Sequence, residues 1–297
     1  YSFHMPAFLF LSGMFARFDR GKFIFGMALP YLVLQALYTS FVEKLGDSYV
    51  HVQFSRPYWL LWYLFVLMLY TLLLPVYDIP SRWGRGVLLA ASVVLALLAG
   101  YDPSIDYQWS ASRFITFQPW FLAGYYFRRE EGLRLWWRQA GRSVRIGMTA
   151  LAAVCCVLFE RLLFSCGVTA KMLLGSYGYE SLGYDWRIRG LGMCCAASVI
   201  CLLLVLAPCL KGRLPVVTTL GQDTLSIYLL HGLLVQLLRL KYRFLLSEPW
   251  QVLVVWLLLL LLLGNPIAGR CVSFLFGAGW YRRLQAMRAE KRQMPDA

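Results

Sequence analysis

Long apolar stretches alternate with short polar connections along the whole chain. Nine of these stretches suit a membrane-crossing helix, and they lie at roughly 3–16, 23–43, 58–77, 87–100, 114–127, 146–164, 190–208, 217–238 and 249–267. A helix needs about 20 apolar residues to cross the hydrocarbon layer, and it satisfies its own backbone hydrogen bonds there. The alternating pattern of outer-membrane strands is missing. The pattern therefore predicts an all-α, polytopic integral membrane helical bundle with about nine visible transmembrane helices.

Composition also indicates a membrane protein. Hydrophobic residues make up 60% of the 297 residues and charged residues only 15%, whereas soluble domains carry about 25% charged residues. The net charge is +14, but the basic residues lie between the apolar stretches, where they orient a membrane protein. Membrane lipids are therefore expected partners, and nucleic acid is not. The eight cysteines show no metal-ligand spacing, so we expect no metal site.

The distribution of lysine and arginine orients the nine stretches. One side of the predicted membrane carries about twice as many of these residues as the other, largely through the 128–145 connection and the C-terminal tail. The richer side is cytoplasmic by the positive-inside rule. This arrangement predicts a membrane domain over 1–278 and a basic cytoplasmic tail over 279–297. It also places Tyr1 on the outer side, so we expect one further helix upstream of it.

Four sequence blocks resemble one enzyme family. FHMPAFLFLSGMF, PYWLLWYLFVLMLYTLLLP, SRFITFQPWFLAGYYF and LGQDTLSIYLLHG occur in that order, and together they resemble the membrane-bound acyltransferase family 3, closest to its fucose 4-O-acetylase-like branch. The resemblance implies a ten-helix acyltransferase fold whose first helix is missing here. It also implies transfer of an acyl group, usually acetyl from cytoplasmic acetyl-CoA, to a hydroxyl of a surface glycan or lipid-linked sugar. Acetyl-CoA is then a donor substrate rather than a permanently bound cofactor, and a bacterial inner membrane is the implied location.

Acyl transfer from a thioester to a hydroxyl sets requirements for the site. A base must take the alcohol proton, and a cation must stabilise the developing oxyanion. Cationic side chains must also bind the phosphates of CoA, for which the arginine fork is well shaped. In the family that the chain resembles, the catalytic histidine lies on the first helix together with an arginine, and neither residue is in this sequence.

His4 belongs to the first of the four blocks and lies at the outer start of a predicted helix. A neutral imidazole there can orient a sugar hydroxyl or relay a proton. The alternative is a histidine at a helix entry that is hydrogen-bonded to a neighbouring loop. The resemblance favours a role in the site.

Arg17 and Arg20 form an RxxR pair at the cytoplasmic end of the first apolar stretch. Family members often carry this pair a few residues later, where Phe23 and Gly26 stand in this chain. The two arginines can bind CoA phosphates, or they can be ordinary positive-inside anchors. Trp62 lies in the WLLWYLF block, and the resemblance implies that it lines the path of the acyl or pantetheine group.

Arg113 stands between an outer loop and an apolar helix. An arginine at such a position normally faces a cavity or a partner, and its counterpart recurs in the family block. The structural alternative is an ion pair with Asp102 or Asp106. Gln118 and Pro119 interrupt the same apolar stretch and predict an opening of the backbone toward a cavity.

His231 and Asp223 lie eight residues apart on one predicted helix, so they fall nearly on one face. An ionisable group near the middle of the membrane is a functional candidate by default, but a histidine can also simply bond across helices. Glu160 and Arg161 are adjacent in sequence and cannot share a face. We expect structural partners for them on other helices.

Two other functions remain open on the sequence alone. An exporter can line a path with intramembrane polar residues, although the two related halves of an inverted-repeat transporter are not visible. The second alternative is a catalytically inactive family member that acts as a membrane partner protein, because the usual RxxR position does not carry the two arginines.

Overall fold

The computed structural model describes residues 2–45, 53–105, 107–131, 139–210 and 224–275, together with Thr218 and Gly221. The regular elements in these ranges are helices, and no strand occurs among them. The α-helices, in chain order, are α1 (His4–Phe15), α2 (Arg20–Phe23), α3 (Leu29–Lys44), α4 (Trp62–Leu72), α5 (Leu74–Tyr77), α6 (Arg82–Leu98), α7 (Ala111–Arg129), α8 (Arg142–Ser165), α9 (Ala170–Leu173), α10 (Tyr179–Leu182), α11 (Trp186–Leu210), α12 (Thr224–Lys241), α13 (Pro249–Leu263) and α14 (Pro266–Leu275).

Three helical stretches among the described residues are long and apolar enough to cross a membrane. They are Arg20–Lys44, Arg142–Ser165 and Trp186–Pro208. A fourth arises if Pro249–Leu263 and Pro266–Val272, bent by 67°, form one broken span. The described parts of the other predicted spans also lie in helices, but these are shorter or more polar. The all-helical class is confirmed, and the number of nine spans stays a prediction.

The chain divides into two units, and the first contains residues 1–17 and 69–211. Within this unit, α7 packs against both α1 and α6, and α8 packs against α11. The aromatic core of the unit lies on α7, where the ring of Phe121 stacks on that of Tyr70 at 4.7 Å between centroids. The Tyr70 hydroxyl donates a hydrogen bond to the carbonyl of Phe114. These contacts hold α7 as the central helix of the unit.

The entry to α7 has an unusual backbone. Trp109 and Ser110 both have positive φ angles, 54° and 51°, a region that residues other than glycine rarely adopt. The chain turns sharply there before α7 begins at Ala111. Pro119 lies inside the helix and is buried, so the carbonyl of Ile115 lacks its usual helical N–H donor.

The second unit contains residues 18–68 and 212–297. A π-helix over Ile24–Ala28 joins α2 to α3. It ends just before Pro30, whose ring and missing N–H disfavour a regular α-helical turn at that point. Gln35 on α3 is fully buried, and it donates to the carbonyls of Gln53 and Arg56 while accepting from the Tyr58 N–H. One glutamine thus holds the 53–58 segment against α3.

Helix α12 of the second unit is fastened by two tyrosine hydroxyls. Tyr38 on α3 donates to the carbonyl of Leu229 at 3.0 Å, and Tyr228 on α12 donates to the carbonyl of Leu60 at 2.6 Å. The rings of Tyr63 and Tyr228 also meet edge to face at 5.4 Å. These contacts fix the part of α12 that carries His231.

Candidate active site

Helices α1 and α7 cross at two glycines that face each other's backbone. A Cβ built on Gly13 would lie 2.9 Å from the backbone nitrogen of Tyr125, and one built on Gly124 would lie 2.7 Å from the carbonyl carbon of Phe10. Small residues allow such close approach of membrane helices. One helix crossing therefore explains both glycines, in SGM of the first block and in AGY of the third. This crossing sets where the ends of both helices lie.

Arg113 is buried in the first turn of α7, with only 7% of its surface exposed. Its Nη2 donates to the Ser176 hydroxyl at 2.9 Å, and its Nε lies 3.4 Å from the carbonyl of Leu174. Its guanidinium also lies over the ring of Tyr107, 4.8 Å from the centroid. Arg113 therefore binds the segment that follows α9.

The structure assigns the two predicted acidic partners of Arg113 differently. Asp102 accepts hydrogen bonds from the N–H and the hydroxyl of Ser104 and makes no ion pair with Arg113. These bonds lower the pKa of Asp102. Asp106 lies outside the described residues. The ion pair between Asp102 and Arg113 that the sequence left open is thus wrong.

Arg189 is a second buried arginine, and no sequence motif distinguished it. It lies in the first turn of α11 and is 4% exposed. Its Nη1 donates to the carbonyl of Ala96 at 3.0 Å, and its Nη2 donates to the carbonyl of Tyr177 and the hydroxyl of Tyr184. Among the described residues, no carboxylate lies within ion-pair distance of its guanidinium. The side-chain hydrogen bonds of Arg189 thus go to neutral oxygens only among the described residues.

The ring of Tyr179 on α10 covers the guanidinium of Arg189. The Arg189 guanidinium lies 4.6 Å from the centroid of the Tyr179 ring. Burial raises the pKa of Tyr179 to about 12, although the nearby Arg189 charge acts in the opposite direction. The phenol is therefore neutral at physiological pH, and it donates to the carbonyl of Leu97 at 2.5 Å.

A small cavity lies between α1, α7 and α11 in the first unit. Its volume is about 30 Å³, and residues of α7, α9, α11 and the chain start line it. The lining includes Thr116, Phe117 and Trp120, which surround Pro119, and Arg189 from the opposite side. Gln118 does not line it, because its amide donates to the Tyr77 hydroxyl at 2.9 Å. Pro119 does not line the cavity either, so the opening of the backbone at Gln118 and Pro119 stays a prediction.

His4 is the first residue of α1 and is half-buried. Ser2 and Pro6, two residues before and after His4, both line the cavity, whereas His4 itself is not among its lining residues. The Ser2 hydroxyl donates to Glu160 at 2.5 Å, and the Cys195 thiol lies 3.3 Å from the same carboxylate oxygen. The structural partners predicted for Glu160 are confirmed.

Three arginines form ion pairs around the carboxyl end of α7. Arg82 and Arg85 pair with Glu130, and Arg129 pairs with Asp78. The hydrogen bond from Arg129 lowers the pKa of Asp78. Arg17 and Arg128 make no ion pair with any described carboxylate.

Arg128 donates from Nη1 to the carbonyl of Met14 at 3.2 Å, at the carboxyl end of α1. Arg17 follows Met14 by three residues and is exposed. The structure therefore brings Arg128 to the end of the helix that leads into Arg17. The sequence analysis predicted a donor-site role for Arg17 but not for Arg128.

The remaining predicted site residues lie in the second unit. His231 Nδ1 bonds to the carbonyl of Ile227 at 2.7 Å. Because a carbonyl only accepts, Nδ1 carries a proton, and the lone pair of a neutral ring is then on Nε2. Trp62 is 7% exposed in α4, and Arg20 is exposed at the start of α2. Asp223, the predicted companion of His231, lies outside the described residues.

The family model described as an acyltransferase domain matches residues 1–270. The chain belongs to acyltransferase family 3. Searches among curated proteins and among solved structures gave no match. Membership, together with the apolar helices, makes the chain an integral membrane protein and an acyl-transfer enzyme. The fucose 4-O-acetylase-like branch and an additional upstream helix stay predictions.

Proposed function

We propose that this member of acyltransferase family 3 moves an acetyl group from cytoplasmic acyl-CoA to a hydroxyl of a cell-surface or exported glycan. The observation that carries the proposal is the cavity of the first unit, which Arg189 and Thr116 line together with Ser2 and Pro6, two residues before and after His4. Acyl transfer needs a base, a cation and restricted access for water in one place. A lipid-linked sugar at the outer leaflet is the acceptor that fits the predicted orientation.

The donor side of the proposal uses the opposite end of α1. This helix has 12 residues and therefore rises about 18 Å. Arg128 and Arg17 lie at its carboxyl end, which is the cytoplasmic end in the predicted orientation. Their guanidinium groups make no ion pair with described carboxylates, so they are available for the phosphates of CoA.

The other predicted residues enter the proposal with defined roles. His4 is the candidate base, and Arg113 holds the outer segment that closes the cavity. His231 is a second candidate base, because its Nε2 can accept a proton. Trp62 is proposed to line the acyl path, and Arg20 is proposed as a further phosphate contact.

The decisive experiment measures acceptor-dependent release of the CoA thiol from acetyl-CoA by the purified full-length protein. A panel of cell-envelope glycans serves as acceptors, and mass spectrometry detects the added acetyl group. We expect thiol release and acetylation to rise together. If no glycan of the panel causes thiol release or becomes acetylated, the proposal is contradicted and an inactive family member is favoured.

Variants of the basic residues test the donor side. Replacing Arg17 and Arg128 together with Gln should raise the KM for acetyl-CoA about tenfold, because two solvent-accessible charge pairs of about 0.7 kcal/mol each contribute about 1.4 kcal/mol in total. Arg82→Gln is the matched control, since this exposed arginine faces Glu130 at 3.6 Å. An unchanged KM in the double variant removes Arg17 and Arg128 from the donor site. Arg20→Gln tests Arg20 separately.

A further inference from the structure

The turn that leads into α7 has a strained backbone at Trp109 and Ser110. Among the described non-glycine residues, a positive φ occurs only at these two and at Trp59. Such a conformation is unfavourable for most residues with a side chain, because Cβ comes too close to a backbone carbonyl. It persists only where the surrounding structure enforces it, and it is concentrated at functional sites. Two consecutive residues of this kind therefore call for an explanation.

The residues around Trp109 hold this turn in place. The Ser110 N–H donates to the carbonyl of Tyr107 at 3.0 Å, and Ser110 is only 1% exposed. The guanidinium of Arg113 lies 4.8 Å from the centroid of the Tyr107 ring, and Arg113 in turn donates to the Ser176 hydroxyl. Buried contacts on both sides of Trp109 thus fix the strained conformation.

Trp109 is exposed, unlike the serine that follows it. The residue exposes 54% of its surface, although burial of so large an apolar side chain would stabilise the fold. Gln108, directly before it, and Asp102 and Ser104, earlier in the same loop, are exposed as well. The strained turn therefore presents an indole ring in a polar, accessible segment.

An aromatic ring in a polar segment suits a sugar as ligand. The face of a sugar ring carries C–H groups that stack on an aromatic ring, and its hydroxyls form hydrogen bonds with polar neighbours. A tryptophan whose backbone is already fixed also loses little conformational entropy when it binds. The turn at Trp109 therefore has the chemistry and the rigidity of a sugar-stacking position.

The competing explanation is a tryptophan that anchors the protein at the membrane surface, where this residue type is enriched. Trp83 and Trp250 are 82% and 64% exposed in the first turns of α6 and α13. Neither of them has a positive φ. An anchoring role therefore needs no strained backbone, and it leaves the strain at Trp109 unexplained.

We propose that Trp109 stacks on a sugar ring of the acceptor glycan, an inference that rests on the proposed function. In the predicted orientation the 101–112 connection lies on the outer side, where the acceptor is expected. Tyr107, two residues before Trp109, contacts Arg113, which holds the segment that closes the cavity. Trp109 binds the acceptor and takes no part in the bond-making steps.

The test compares Trp109→Asn with Trp109→Tyr and with the control Trp83→Asn, all in the full-length protein in lipid nanodiscs. Asparagine tolerates the left-handed backbone but removes the ring, so the unfolding temperature should not fall. We expect Trp109→Asn to raise the KM for the accepted glycan about tenfold, a usual loss for an anchoring tryptophan, and to leave the KM for acetyl-CoA unchanged. Trp109→Tyr keeps an aromatic ring and Trp83→Asn keeps Trp109, so both should stay within about threefold of wild type.

A binding measurement separates this role from the proposed function. Saturation-transfer NMR with the methyl glycosides of glucose, galactose, mannose and fucose should detect contact of at least one sugar with the wild type, and Trp109→Asn should lose that contact. A wild type that binds a sugar through Trp109 but transfers no acetyl group overturns the proposed function and leaves the sugar contact standing. Equal sugar contact in wild type and Trp109→Asn, or no contact in the wild type, overturns the stacking role while acetyl transfer can persist. A lowered unfolding temperature of Trp109→Asn, or its failure to fold, also overturns that role, because the ring would then be a structural element or a membrane anchor.

Discussion

The crossing of α1 and α7 at Gly13 and Gly124 offers a direct test of how this fold positions its site. Replacing Gly124 with Ala adds one methyl group against the backbone of α1. That Cβ would lie 2.7 Å from the carbonyl carbon of Phe10, and the Phe10 oxygen is closer still. Backbone atoms cannot move away by changing a rotamer, so the two helices must separate.

The geometry sets the expected size of the effect. Ordinary contacts of a Cβ begin at 3.4 Å, so the helices must separate by about 0.7 Å from the carbonyl carbon alone. Overpacking of this kind costs about 3 kcal/mol at the upper end of its usual range. Alanine is favoured over glycine inside a helix by about 1 kcal/mol. We therefore expect Gly124→Ala to lose about 2 kcal/mol of stability.

Thermal unfolding in detergent measures this loss, and acetyl transfer measures its consequence for the site. Gly147→Ala on α8 is the matched control, because no atom lies within 4 Å of a Cβ built there. It should be neutral or stabilise by up to about 1 kcal/mol. Equal unfolding temperatures of Gly124→Ala and Gly147→Ala would refute the argument that the backbone contact fixes the crossing.

Three further predictions concern other contacts. Gln35→Leu leaves three backbone groups of the 53–58 segment without their partner, so we expect the free energy of unfolding to fall by about 3 kcal/mol. A fall of less than about 1 kcal/mol would contradict the role of Gln35 in holding this segment. Tyr38→Phe removes one hydrogen bond to α12, so we expect a loss of about 1 kcal/mol in the free energy of unfolding. Tyr242→Phe is the control in the same experiment, because the Tyr242 ring is exposed. The Asp78 carboxyl has a lowered pKa in the fold, so its ion pair stabilises above the unfolded pKa and is lost as pH falls through the folded pKa. The difference in unfolding temperature between wild type and Asp78→Asn should therefore shrink toward zero as the pH falls below the lowered pKa of the folded state, and a constant difference would exclude the ion pair as its cause.

Sequence reasoning found one buried arginine of the first unit and missed the other. Arg113 was recognisable because it interrupts an apolar helix inside a family block. Arg189 shares its short segment with Arg187, which is exposed and lies 3.9 Å from Asp185. Two arginines two residues apart at a helix start look alike in sequence. Only the packing of Tyr179 and the 174–177 segment makes one of them a buried group.

The charged pair on α8 shows the same limit. The sequence correctly predicted that Glu160 seeks partners elsewhere, since adjacent helical residues do not face each other. It predicted the same for Arg161, which makes no hydrogen bond or ion pair with any described residue. Helical periodicity tells which residues cannot meet, but it does not tell which face of α8 is covered.

The sequence by itself determined the class of the protein, its helices and its family. These depend on local features, namely hydrophobicity over about 20 residues and short blocks in a fixed order. The tertiary structure alone decided that Thr116 and Arg189 share one cavity near His4, and that Arg128 reaches the end of α1. These contacts join residues from distant parts of the chain. They depend on where helices cross, and in the first unit two glycines with no side chain of their own set one of those crossings.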